Sequence, residues 1–303
     1  FYMIKGDFNG ASPSRVGEIF NGLTSDAGAC ILWMVITCIT GFLICSLGLQ
    51  KGVEKVTKCM MSCLFIIMLV LAVRSLTLPD AEKGLAFYLT PNFDNFVKNG
   101  IWTTIYAAMS QAFFTLSLGI GCMAIFGSYI GKERSLTGES IRIIALDTFV
   151  AITAGLIIFP ACFSFGVKPD SGPSLVFLTL PNIFNSMPLG HLWGILFYIF
   201  MFFAALSTVI AVFENIIAFA MVMLGWSRKK AVLVNSVLLT VLSLPCALGF
   251  NVWSGFAPLG EGSTVLDLED FIVSYNILPI GTLVYVLFCV SRYGWGWKNF
   301  ITE

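Results

Sequence analysis

Histidine is all but missing from this chain, and charge is thin. A single histidine, His191, and a charged fraction of 11% over 303 residues leave few of the groups from which catalytic centres are assembled. No Ser/His/Asp or metal constellation can be composed, so a membrane enzyme is the least favoured class. His191 stands at a segment boundary, where an interfacial role outweighs a catalytic one. The nine cysteines include no C-x-x-C pair and no neighbouring histidine. Cys38, Cys45, Cys63, Cys122, Cys162 and Cys289 fall in or beside apolar runs and read as small buried hydrophobes rather than metal ligands or disulfides. Seventeen basic residues balance seventeen acidic ones, so charge suggests neither a nucleic-acid partner nor a membrane-surface one.

Apolar residues are what the chain has in excess. A hydrophobic share of 57% and a mean hydropathy of +0.89 define a polytopic membrane protein. The apolar segments run over 29–49, 57–77, 101–130, 142–165, 191–224, 231–249 and 271–291, which makes seven expected spans. Cytoplasmic loops carry the excess of lysine and arginine. Eleven of the seventeen basic residues lie in alternate loops: Lys51, Lys55 and Lys58; Lys132, Arg134 and Arg142; Arg228, Lys229 and Lys230; Arg292 and Lys298. Those loops are expected inside, and the loops at 80–100, 166–190 and 251–270 outside with the amino end. Residues 1–4 resemble the last turn of a span, so the chain reads as a fragment. Residues 6–28 read as an external loop without assignable chemistry, and the aromatics of 84–93 suit an interfacial segment.

The other spans are arranged around the one at 101–130. Thirty helical residues would rise about 45 Å, against a hydrocarbon core of about 30 Å. A steep tilt or a break must absorb the surplus, and QAFFTLSLGIG (111–121) supplies a place for the break. Gly119 and Gly121 weaken a helix there, and Thr115 and Ser117 bring hydroxyls to mid-membrane depth. Two residues apart, those hydroxyls converge on one ligand only where the backbone is unwound. Unwinding frees carbonyls, tolerated in a membrane around a protein-lined cavity, where they can hold a cation or an ammonium group. A half-helix ending near Phe114 would aim the negative end of its dipole at the same place. The alternative is an unbroken helix with a small-residue packing face.

Four further features carry chemistry. Asp147 is the one carboxylate within the 142–165 span, either a member of an ion or proton pathway or an aspartate capping the helix in the interface. Ala204, Ser207 and Thr208 stand at i, i+3 and i+4, so one face presents two hydroxyls and a carbonyl, half of an oxygen shell for sodium. Serine and threonine at that spacing also bond back to the preceding turn. Glu214, further along the same span, is expected to pair with a polar neighbour inside the bundle. Asp270, in LEDF (268–271), is either a helix cap or half of a charged gate. Arg74 is expected to snorkel at the outer end of its span.

At these residues the chain resembles a bacterial member of the neurotransmitter:sodium symporter family, almost end to end. QAFFTLSLGIG resembles the family's unwound sixth helix, ALDTFVAITAGLIIFP the seventh, FFAALSTVIAVFENIIAF with GWSRKKAV the eighth, and EDF the start of the tenth. The resemblance implies an all-α inverted-repeat (5+5) amino-acid transporter fold, here partial. In it 1–28 ends a span and forms an outer loop, 29–77 forms two scaffold helices closing the first repeat, and 101–291 is the second five-helix repeat. It implies substrate contacts at Phe114, Thr115, Ser117, Ile120, Val209 and Val212. It implies sodium ligands at Thr115 and Asp147 for one ion, and at Ala204, Ser207 and Thr208 for a second. Gln111, Phe114 and Asp270 fall at the outer gate. An aspartate at 147 could also serve as a fixed negative charge in place of chloride, making chloride unnecessary. Relatives carry an acidic inner-gate residue where this chain has Val222, a departure from the pattern.

The function so implied is sodium-coupled import of an amino acid, apolar by the character of Ile120, Val209 and Val212, through alternating access. Sodium ions, the amino acid and the lipid bilayer are the expected partners. The location is the plasma membrane, the inner membrane for a bacterium. The alternatives are a proton-coupled or uncoupled transporter of the same fold, with Asp147 carrying the proton, and a non-transporting amino-acid sensor or membrane scaffold.

Overall fold

Caps and glycines, more than hydropathy, decide where the helices of this chain start and stop. The computed structural model describes residues 2–48, 53–98, 100–131, 133–166 and 175–302. Phe1, Lys51, Lys132 and residues 167–174 of the expected outer loop lie outside them. Among the described residues every regular element is a helix. The first long one, α1 (Pro13–Ser25), starts at Ser12, whose hydroxyl accepts from Arg15 N–H, with Pro13 in the first turn. The expected loop at 6–28 is therefore mostly helix, because a Ser-Pro pair is a helix start.

Two helices follow, α2 (Ala27–Ser46), capped by Asp26 on Ala29 N–H, and α3 (Lys55–Leu76). A shorter one, α4 (Ala81–Leu89), precedes α5 (Ile101–Thr115) and α6 (Cys122–Ser128). Then come α7 (Leu136–Ser164), α8 (Gly190–Met223) and α9 (Arg228–Leu242), the last with a further turn at Leu244–Leu248. The chain's last long helix runs from α10 (Val265–Ile272) through a single π turn (Val273–Ile277) into α11 (Leu278–Val290).

Among the described residues six stretches are long and apolar enough to cross a bilayer: Ala27–Ser46, Lys55–Leu76, Leu136–Ser164, Gly190–Met223, Arg228–Leu248 and Val265–Val290. The seventh expected span is the broken one. At about 1.5 Å per residue α5 is about 22 Å long and α6 about 10 Å, so neither crosses alone.

Two boundaries differ from the sequence reading. The 142–165 span begins earlier, at Leu136, because the Ser135 hydroxyl caps Gly138 N–H. The last span begins at Val265 and not at LEDF, because Thr264 and Asp267 form a reciprocal capping box.

The bundle is built on α8. It packs against α2 and α3, while α3 and α4 pack against α7. One core cluster gathers Leu64, Met68, Leu71, Ile157, Cys162 and Phe197. The other gathers Cys38, Phe42, Cys45, Met60, Leu206, Ile210, Phe213 and Ile217. In the second, Phe42 stacks on Phe213 with ring centroids 4.1 Å apart, and Gly41 leaves room for that ring. The 84–93 segment, expected at the interface, is pinned to α7. Gly84 abuts the backbone of Phe159 and Pro160, and Phe87 and Tyr88 pack on Phe159. Arg74, in the last turn of α3, places its guanidinium 5.7 Å from the centroid of Trp193 and donates to Thr77 Oγ1 at 3.4 Å. His191 Nε2 sits 2.8 Å from the Met3 carbonyl.

Candidate functional site

Between α5 and α6 the backbone leaves helical geometry at 116–121. Leu118 N–H reaches back to Phe113 O at 2.9 Å and Ser117 N–H to Phe114 O at 3.0 Å, which closes the end of α5. Ser117 (φ +51°), Gly119 (φ +84°) and Gly121 (φ +85°) then take left-handed conformations. Glycine adopts these without strain; Ser117 does not. Among the described residues no hydrogen bond reaches the carbonyls of Thr115, Leu116, Ser117 or Leu118. Those oxygens, with the negative end of the α5 dipole, are available to a positive ligand.

The unwound strand is held from two sides. Asn215 of α8 donates Nδ2–H to Ile120 O at 2.9 Å. On the other side Gly119 lies directly on the backbone of α11: a β-carbon on Gly119 would strike Leu278 O, and one on Gly281 would strike Gly119 O. A β-carbon on Gly121 would meet the Tyr285 hydroxyl.

Thr115 and Asp147 meet. The Thr115 hydroxyl donates to Asp147 Oδ1 at 2.9 Å, joining the end of α5 to α7. Asp147 stands twelve positions beyond the cap at Ser135, about 18 Å along the helix. Its alternative reading as an interfacial cap is therefore excluded.

Ala204, Ser207 and Thr208 also converge. The hydroxyls of Ser207 and Thr208 donate to Ala204 O at 2.8 and 3.2 Å. This is the back-bonded arrangement open to such residues in any helix. A hydroxyl oxygen that donates its proton keeps two lone pairs, so both remain able to coordinate a cation. Ser207 opens into a cleft of about 370 Å3 that Val53, Thr57, Phe126, Tyr129 and Ala211 also line. Among the described residues no group of three His, Cys, Asp or Glu side chains is placed to hold a metal. Hydroxyls and carbonyls are the ligand type present on this face, which suits a hard cation.

The remaining residues divide. Gln111 is exposed and Phe114 is 54% exposed. Asp270 accepts from Ser274 Oγ at 2.6 Å and caps nothing, since Thr264 and Asp267 do that. Ile120 contributes its carbonyl to Asn215. Val212 shares the face of α8 that carries Thr208 and Asn215. Val209 does not: it turns Cγ1 toward Gly41 of α2 and packs on the second core cluster. Its expected place in a side-chain pocket is corrected accordingly.

Glu214 finds its polar neighbour. Wholly buried, it takes Arg228 Nη1 on Oε1 at 3.0 Å and Nη2 on Oε2 at 2.6 Å. The same guanidinium donates to the Cys45 carbonyl through Nε at 3.0 Å and Nη2 at 2.6 Å. Val222 is 77% exposed and offers no charge. Asn215 was the residue sequence reasoning missed. Its signal was spacing, since it follows Thr208 by seven positions and so shares its face.

An all-helical bundle with a mid-span break, free carbonyls at the break and a hydroxyl–carboxylate contact beside them is the architecture of broken-helix membrane transporters. The chain belongs to the sodium:neurotransmitter symporter family, whose model matches residues 14–257. It is accordingly a multi-pass membrane protein of a transporter family and not an enzyme.

Over 95% of its length it is 34% identical to the uncharacterised sodium-dependent transporter YhdH of Bacillus subtilis (strain 168), covering 63% of that protein. Over 86% it is 32% identical to an uncharacterised sodium-dependent transporter of Haemophilus influenzae, covering 57% of it. Among solved structures, MhsT in complex with L-phenylalanine matches with a TM-score of 0.84 and 38% identity, over 95% of this chain and 64% of MhsT. The chain thus spans under two thirds of the length of each.

Proposed function

We propose that this chain forms part of the ion and substrate site of a sodium-coupled amino-acid importer that works by alternating access. The observation that carries the reading is the Thr115 to Asp147 hydrogen bond at 2.9 Å beside an unwound strand with free carbonyls. A carboxylate and a hydroxyl there supply oxygen ligands for one sodium ion, and Ala204, Ser207 and Thr208 supply part of the shell of a second. The freed carbonyls of the break take the ammonium group of the amino acid. Phe114 lids the site, Gln111 and Asp270 close it from outside, and Ser117, Ile120 and Val212 face the side chain. Sodium binding fixes the broken helix, and rocking of the bundle then exposes the site inward. Asp147 provides the negative charge that makes chloride unnecessary. The substrate assignment is supported by the phenylalanine bound to MhsT and by the apolar character of Ile120 and Val212.

Uptake of a mixed pool of radiolabelled amino acids into proteoliposomes holding the full-length protein tests this. Uptake that requires external sodium is expected, and the members depleted from the pool name the substrate. Equal uptake with potassium in place of sodium would reject sodium coupling and select a proton-driven or uncoupled mechanism at Asp147. Binding without uptake would select a sensor.

A further inference from the structure

The last long helix carries an unusual acceptor. In the π turn Val273–Ile277, Leu278 N–H bonds to Val273 O, five residues back. One position on stands Pro279, which has no N–H. In a regular α-helix that missing donor would have served the carbonyl four residues earlier, that of Tyr275. A donor from another helix takes its place: the hydroxyl of Tyr106, on α5, bonds to Tyr275 O. The two tyrosine rings lie 6.0 Å apart, and Tyr275 stacks on Phe271, also at 6.0 Å. The same short stretch holds Asp270, with Ser274 Oγ on its Oδ1 at 2.6 Å. Tyr106 lies eight positions before Phe114, about 12 Å along α5.

We propose that Tyr106 is a positioning residue of the outer gate: its hydroxyl, seated on the carbonyl that Pro279 frees, makes α5 and the Asp270-bearing turn move as one body. The inference rests on the reading of Phe114 and Asp270 as gate residues. Without the bond, α5 and the last helix keep their apolar packing and the contact of the Tyr106 and Tyr275 rings, but no hydrogen bond from α5 fixes the turn at 270–275, which is then free to shift relative to Phe114. Pro279 is part of the device, since an N–H at that position would compete with Tyr106 for the same oxygen.

The test uses the full-length protein and compares wild type, Tyr106→Phe and the double variant Tyr106→Phe/Pro279→Ala. Hydrogen–deuterium exchange needs no ligand. Tyr106→Phe keeps the ring and is expected to raise amide exchange several-fold within 271–278 and the outer part of α5. The double variant restores a donor and is expected to return 271–278 to protection. Dissociation of bound labelled amino acid in sodium is the second readout. It is expected to quicken several-fold in Tyr106→Phe with the number of binding sites unchanged, which a bond of merely structural value would not produce.

Unchanged exchange in 271–278, or a rise spread over the whole chain without rescue, would overturn the proposal. So would raised local exchange with an unchanged dissociation rate. A locally raised and rescued exchange in a protein that binds no amino acid would support the coupling of the two helices and reject the transport reading instead.

Discussion

Arg228 holds both carboxylate oxygens of Glu214, at 3.0 and 2.6 Å, and with the same guanidinium reaches the Cys45 carbonyl at the end of α2. One cation therefore ties three helices together where α8 meets α9. Breaking such a buried pair costs about 3–5 kcal/mol, because the remaining charge is left desolvated. Arg228→Met is expected to lower the melting temperature of the purified protein sharply. The double variant Glu214→Leu/Arg228→Met should recover most of the loss, since no charge is then stranded. A single variant that melts like wild type would show the pair to be incidental.

The oxygen cluster of α8 makes a prediction about sodium. With Ser207→Ala and Thr208→Ala combined, the two hydroxyls proposed to hold sodium are removed while the helix keeps its packing. The sodium concentration for half-maximal substrate binding should rise at least tenfold, which is about 1.4 kcal/mol. Thermal stability without sodium should change little. An unaltered sodium dependence would count heavily against the assignment.

Asp147 makes a prediction about anions. If its charge stands in for chloride, Asp147→Asn should impair uptake in gluconate and recover part of it when chloride is restored. Wild-type uptake should ignore the exchange of anions. Loss of activity that chloride does not relieve would leave Asp147 as an ion ligand only.

The seat of the broken helix predicts a contrast among glycines. At Gly119 a methyl group meets the Leu278 carbonyl and the backbone has φ +84°, a conformation that costs an L-residue of order 1–3 kcal/mol. Gly127, in α6, has nothing within 4 Å of the position a β-carbon would take, and alanine there gains about 0.8–1.0 kcal/mol of helix propensity. Gly119→Ala should thus destabilise the protein and abolish substrate binding, whereas Gly127→Ala should be neutral or stabilising. Equal melting temperatures for the two would show that the unwound strand is not fixed by this contact.

What the sequence made legible was what local chemistry determines. An apolar run too long for a bilayer, interrupted by Gly119 and Gly121, located the break. The isolated Glu214 announced a partner. Boundaries were less readable, because hydropathy does not register a polar first turn: α7 begins at Leu136 although its apolar stretch starts near Arg142. Val209 was placed by the family resemblance, and only the packing against Gly41 showed that it faces the other way. Tyr106 could not be found from sequence, since its partner is a backbone oxygen 169 positions away. The proline that freed this oxygen was visible, yet nothing local says where a substitute donor will come from.

The contact between Gly119 and Gly281 has a consequence for how specificity can diverge. It is a seam of backbone against backbone, with no side chain on either surface. Substitutions at Ile120 or Val212, the residues proposed to face the substrate side chain, would leave that seam unchanged. On the proposed function, the bearing on which the broken helix rests and the surface that would choose the cargo are therefore separate, and one can change while the other stays fixed.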